Sequence, residues 1–242
     1  MGLPHASPSL TRGIVRTAAL PAILLVGLAI GPRLVVAQSQ EEADGALRIG
    51  DLWIYETKNE VTGLPAEGYT EMVAQVSTKE VIVNRTYRFP VISYGAPVQR
   101  SPQNSIYTYD HDWNLIDDYL WKFKPNNGLG VRLPLSVGKT WQAEFDAQDL
   151  HTTRKIYRGT SSSKVVAQET ITTDAGTFDT FKIEHQARWL DPLDPASMWE
   201  FQVMSWFAPK INHWVRRTNL LKYEKRPREN TSEELADFIK KL

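Results

Sequence analysis

Cysteine is absent from the 242 residues, which excludes a disulfide scaffold, a thiolate metal site and a lipid carried on an N-terminal Cys. An excess of one charge is lacking too: 28 Lys and Arg balance 28 Asp and Glu, so net charge gives no reason to expect nucleic acid. No interior segment sustains a helical period, which removes bundles and crossover helices from consideration. There is no Gly-x-Ser-x-Gly elbow, no paired zinc-ligand spacing among His111, His151 and His213, and no cofactor motif. Metal: none, catalytic residues: none and cofactors: none are the resulting expectations.

Long apolar runs are scarce. The one at the N-terminus, Ala18 to Ile30, follows Arg12 and Arg16. It is shorter than the about 20 residues needed to span a bilayer, and Gly31-Pro32-Arg33 ends it. Val35-Val36-Ala37 then supplies small residues before Gln38. This predicts a signal peptide over residues 1–37 cut between Ala37 and Gln38, and hence a periplasmic or secreted protein. Arg33, close to the cut, keeps an uncleaved membrane anchor as the alternative, and that is the one membrane contact the sequence suggests. Removing the segment takes away Arg12, Arg16 and Arg33 and no acid, leaving 25 basic and 28 acidic side chains, net −3.

Aromatic residues, in contrast, are abundant: eight Trp, nine Tyr and eight Phe. At about 150–250 Å² of buried surface each, they are enough for a substantial core. Val165 to Ala187 shows how that core is built. Two runs rich in β-branched and aromatic residues flank Asp174-Ala175-Gly176, the pattern of a β-hairpin. Similar alternating runs occur at 52–57, 69–76, 80–89, 106–109, 113–123, 137–145, 152–158, 198–207 and 213–223. Residues 38–46 read as a flexible leader, and 93–104, with Gly95, Pro97 and Pro102, as a loop. Thr231-Ser232-Glu233-Glu234 has capping-box spacing ahead of Leu235, Phe238 and Ile239, which predicts a short helix in the tail 226–242. The expectation is an all-β antiparallel meander of about eleven strands over residues 47–225, forming a strongly curved sheet or barrel-like domain, with a short C-terminal helix.

Four segments carry a family resemblance: Gly50-Asp51-Leu52-Trp53-Ile54-Tyr55, Leu133 to Trp141, Ala175 to Glu184, and Trp206 to Val215. In order and spacing they resemble the TapB-like family of exported bacterial β proteins. The resemblance implies a periplasmic or secreted β domain and carries over no catalytic residues.

Candidate sites are few. Asp110, Asp112 and Asn114 have the alternate spacing of a calcium loop, but Leu115 stands where Gly is needed and Trp121 where a bidentate Glu is needed, so a polar turn is the better reading. Gly138-Lys139-Thr140 lacks the earlier Gly of a phosphate-binding loop. Asn84-Arg85-Thr86 and Asn230-Thr231-Ser232 fit a short glycosylation pattern that chance often produces. His185 shares strand parity with Phe181, Ile183 and Ala187, on a face where it either binds a ligand or closes a hydrogen bond at the core margin. Among the late aromatics, Trp199, Trp206 and Trp214 either line a ligand pocket, together with Phe201, Phe207 and Tyr223, or fill the core. Arg216, Arg217, Lys222, Lys225, Arg226 and Arg228 are offset by Glu224, Glu229, Glu233 and Glu234, as on a salt-bridged solvated surface.

The functional expectation is a non-enzymatic exported β domain that binds a hydrophobic or amphipathic envelope component, its partners being a lipid, a glycan or an envelope protein. The alternatives are a structural or assembly factor without a small ligand, and a hydrolase whose site assembles only in three dimensions.

Overall fold

A computed structural model describes residues 45–88, 104–118, 120–126, 128, 130–151 and 155–241. The export segment with its cut at Ala37 and Gln38, most of the leader 38–46 and nearly all of the loop 93–104 lie outside the described residues.

Period-two patterning builds twelve strands: β1 (Leu52–Asn59), β2 (Gly68–Val76), β3 (Val81–Arg88), β4 (Asn104–Tyr109), β5 (Leu115–Asp117), β6 (Trp121–Lys124), β7 (Thr140–Asp149), β8 (Ile156–Thr173), β9 (Gly176–Asp191), β10 (Asp194–Ala208), β11 (His213–Tyr223) and β12 (Arg226–Ile239). Every strand pairs antiparallel with its neighbours in sequence, and β1 also pairs with β12, so the meander closes into a barrel. Closure removes both free edges. Many outward positions of β7 to β10 are polar or charged, among them Gln142 and Glu144, Arg158, Thr160 and Ser162, Gln186 and Arg188, Glu200 and Gln202, while Ile156, Leu190, Met198, Met204 and Trp206 stand on the same face.

Two corrections to the sequence reading follow. The described residues form twelve strands, against about eleven expected: the run 113–123 is broken, the runs 152–158 and 165–173 belong to one strand, and those two changes cancel, so the additional strand is β12 in the tail. The break sits at Asp118, whose carboxylate accepts hydrogen bonds from the backbone N–H groups of Leu120 and Trp121. The expected C-terminal helix is strand β12, which pairs with β1 and β11 at once. A capping box contributes about 1 kcal/mol, whereas two flanking edges with unpaired backbone groups offer β12 a full ladder on each side. Long-range pairing outweighs the local signal.

The core has two parts. One is centred on Trp53, Tyr55, Tyr69, Phe207, Trp214 and Leu235. The other joins Phe123, Phe145, Tyr157 and Trp189, with Trp121, Trp199, Phe201 and Leu221 packed against it. The β8–β9 hairpin turns at Asp174-Ala175, with Gly176 at φ 131°, and its Phe178 reaches Phe238 of β12 at 5.7 Å between ring centroids.

Candidate functional site

Strand parity puts a polar network among the aromatics of the first core. Glu71, inward on β2 and fully buried, accepts from Arg85 Nε at 3.0 Å and from Arg85 Nη2. The guanidinium is sandwiched between the rings of Tyr107, at 4.1 Å, and Tyr69, at 4.5 Å. The other carboxylate oxygen of Glu71 faces His213 Nε2 at 3.2 Å. His213 Nδ1 lies 2.5 Å from the Tyr55 hydroxyl, which is also 2.7 Å from the Trp214 carbonyl oxygen.

Burial pushes His213 below its ordinary value of 6.5, with the Glu71 carboxylate opposing. Burial works to raise the Glu71 carboxyl, but Arg85 and His213 outweigh it and hold it at about 2. The carboxylate facing Nε2 favours the imidazole proton there, while the single Tyr55 hydroxyl proton has two neighbours, His213 Nδ1 and the Trp214 carbonyl, which can only accept. Tyr55, Glu71 and His213 are each 0% exposed. Tyr–His–Glu order suits proton relay, but no substrate can reach these atoms, and the network instead fixes how the strands meet. Trp113, at φ 58°, packs edge-on against His213 and donates its indole N–H to the Asn212 carbonyl.

A second group of inward side chains remains open to solvent. Leu221 and Tyr223 on β11, and Trp199 and Phe201 on β10, all face inward and are half-buried. Trp199 lies 4.6 Å from Tyr223 and 6.4 Å from Trp189, by ring centroids. Beneath this wall, also on β11, is Arg217. Its guanidinium carbon is 4.3 Å from the Trp214 ring centroid, and its Nε is buried without a hydrogen-bond partner. Arg217 forms no ion pair among the described residues. Glu233, its Cα partner across the β11–β12 ladder, accepts instead from Tyr69 and from Asn219, each at 2.7 Å.

The structure therefore brings Trp199 and Trp214 into the lumen, together with His185. His185 Nδ1 is 2.8 Å from Ser163 Oγ, and the ring stands edge-on to Trp141. Burial, with a smaller contribution from Arg217, holds the imidazole at about 3, so it is neutral. Trp206 lies apart from these three. It is on the outer face, its indole N–H donating to Glu169, with Lys182 and Arg216 over its ring. A groove of about 630 Å³ on that outer face is lined by polar positions of mixed charge, including Glu144, Arg188 and Glu200.

Asp110 Oδ1 accepts from the backbone N–H groups of Asp112 and Asn114, and Asp110 Oδ2 accepts from Asn126 Nδ2. These bonds account for the alternate acidic spacing as a polar turn. No cluster of three or more metal-ligating side chains occurs among the described residues. Sequence reading missed the inward roles of Glu71 and Arg85 and placed Arg217 on a salt-bridged solvated surface, whereas it stands at an inward position of β11 with its Nε buried. Each is a charged residue at an inward position of a strand, and alternation was the signal that could have found them.

No family model matches the sequence, and no curated relative matches it. Solved structures do align with it. One is a candidate lipoprotein from Parabacteroides distasonis, at 16% identity, with 79% of this chain and 96% of that chain covered and a TM-score of 0.46. Another is a candidate exported protein with YmcC-like fold from Bacteroides fragilis, at 15% identity, with 80% and 97% covered and a TM-score of 0.46. A third is the hypothetical lipoprotein YmcC from Escherichia coli, at 8% identity, with 81% and 91% covered and a TM-score of 0.43.

Proposed function

We propose that this is an exported, TapB-like binding module whose barrel lumen holds an amphipathic component of the cell envelope. The observation that carries the reading is the inward wall of Trp199, Phe201, Leu221 and Tyr223, half-buried although it faces the interior. Apolar surface that solvent reaches inside a concave shell is what a ligand chain covers favourably, at about 25 cal/mol/Å². Export rests on the N-terminal segment, with Arg12 and Arg16 ahead of Ala18 to Ile30.

The test is native mass spectrometry, with lipid extraction, of protein purified from its own envelope. A co-purifying amphiphile, released on denaturation, is the expected result. A clean, ligand-free mass overturns the reading.

One observation favours a structural role as the second reading. On the outer wall Ile239, Leu52 and Met72 stand in register across β12, β1 and β2, and Ile106 of β4 is 61% exposed. Such a row suits contact with another envelope protein. Cross-linking that captures a defined partner through Met72→Cys, in protein devoid of bound amphiphile, would favour it.

A further inference from the structure

The charge and hydrogen-bond inventory of the lumen narrows the ligand, on the assumption that the lumen is the binding compartment. Among the described residues the carboxylates at inward strand positions include Glu71, Glu229 and Glu233, with Asp149 and Asp191 at the ends of β7 and β9, and the guanidiniums there are Arg85 and Arg217. Glu71 is taken by Arg85. Glu233 accepts from the Tyr69 hydroxyl and the Asn219 amide. Glu229, exposed at the mouth, accepts from Thr231 at 2.8 Å. Arg217 is the inward guanidinium without an ion pair among the described residues, although Glu233 is its ladder partner and its charge acts on Glu229.

Position adds to this. Arg217 precedes Asn219, Leu221 and Tyr223 on the inward face of β11, so it stands at the inner end of the apolar wall. Its Nε is buried and unpartnered, and the buried indole nitrogens of Trp141, Trp189 and Trp214 lack acceptors as well. Buried oxygens without partners are present too, Asn219 Oδ1 beside Arg217 and Ser161 Oγ on β8, but Arg217 is the charged member of the unpartnered set. A buried donor without a partner costs about 1–3 kcal/mol, and more when charged. A group that accepts and carries negative charge meets the Arg217 guanidinium best.

We infer that Arg217 is the head-group anchor of the lumen, binding the carboxylate or phosphate of a single-chain amphiphile whose tail runs along Leu221, Phe201, Tyr223 and Trp199 toward the mouth. Trp214 positions the guanidinium by stacking beneath it. The outer basic residues Lys182 and Arg216 cannot substitute, because they face away and lie over Trp206.

The experiment uses three probes with the same tail on the purified protein: dodecanoate, dodecyl phosphate and dodecan-1-ol, followed by tryptophan fluorescence and calorimetry. The two anions are expected to bind at least tenfold more tightly than the alcohol, with the stronger anion identifying the head group. Arg217→Met should abolish that preference while leaving alcohol binding in place. Equal binding of all three by the unaltered protein overturns the anchor and leaves the lumen reading intact. Binding of none overturns both. Should Arg217→Met fold poorly, the comparison of probes in the unaltered protein still decides the matter.

Discussion

His213 Nε2 lies 3.2 Å from Glu71 Oε2, and neither side chain is exposed at all. A buried imidazole beside a buried carboxylate, itself held by Arg85, makes this end of the barrel dependent on three side chains, two of them charged, staying in one arrangement.

Removing Glu71 should be costly. Glu71→Ala leaves the Arg85 guanidinium among tyrosines without its counter-ion, a class of change that costs about 3–5 kcal/mol. Chemical denaturation would read this as a lower midpoint at unchanged slope. A variant as stable as the parent would show that Arg85 is neutralised some other way.

Acid should destabilise the barrel in two overlapping windows. His185 titrates at about 3 in the folded chain, because burial and Arg217 disfavour its cation, against about 6.5 when unfolded. The unfolded chain therefore takes up a proton that the folded chain refuses, so this contribution is full above pH 6.5 and declines toward pH 3. His213, lowered by burial, acts in the same direction. Glu71, at about 2 when folded against 4.5 unfolded, adds stability above pH 4.5 that is lost as pH falls toward 2. Melting temperature measured from pH 8 to 3 should hold steady and then drop below 6.5, with His185→Gln blunting the upper part. A flat profile between 6.5 and 4 would sink the assignment.

Gly159 on β8 marks a close approach. A Cβ there would fall 2.3 Å from Phe145 Cε2, so Gly159→Ala must displace the ring, a form of overpacking that costs about 1–3 kcal/mol. Pairing it with Phe145→Leu should recover part of the loss. A double mutant no better than the sum of the single changes would mean that the backbone, not the ring, yields.

Barrel closure depends on Asp51. Its buried carboxylate accepts from the Arg48 and Lys241 backbone N–H groups and from Lys240 Nζ, whose side chain is 5% exposed. Asp51→Ala strands that ammonium and should raise hydrogen exchange across β12 and β1 well before the rest of the barrel. Adding Lys240→Met should restore protection. Uniform exchange in all strands would argue against a local latch.

Trp199 and Trp206 should separate the two faces of β10. Trp199→Ala is expected to weaken dodecanoate binding about tenfold or more, since it removes part of the lumen wall. Trp206→Ala, on the outer face against Glu169 and Lys182, should leave binding unchanged. Loss of binding in both would place the ligand elsewhere.

Alternation made the antiparallel barrel legible, since runs such as Thr140 to Asp149 bury one side at nearly every second residue. The Asp174-Ala175-Gly176 turn was legible for a local reason, as its geometry depends on residues adjacent in sequence. The tail was misread because Thr231 to Glu234 carries a genuine local helix signal, while the partners that override it, such as Tyr69 for Glu233 and Arg216 for Glu234, lie far off or on another strand. The interior polar groups stayed hidden for the same reason. Glu71 and His213 are 142 positions apart, and only the wrap of β11 toward β2 makes them neighbours.

The first and last strands are hydrogen-bonded to each other from Leu52↔Ile239 to Asn59↔Thr231, so the shell can lock only once its final residues have left the ribosome. Local hairpins can form early, but the seam must wait for the whole polypeptide, which places the slow step of folding after synthesis. If the export proposed above holds, that delay leaves the shell unclosed while the chain crosses the membrane.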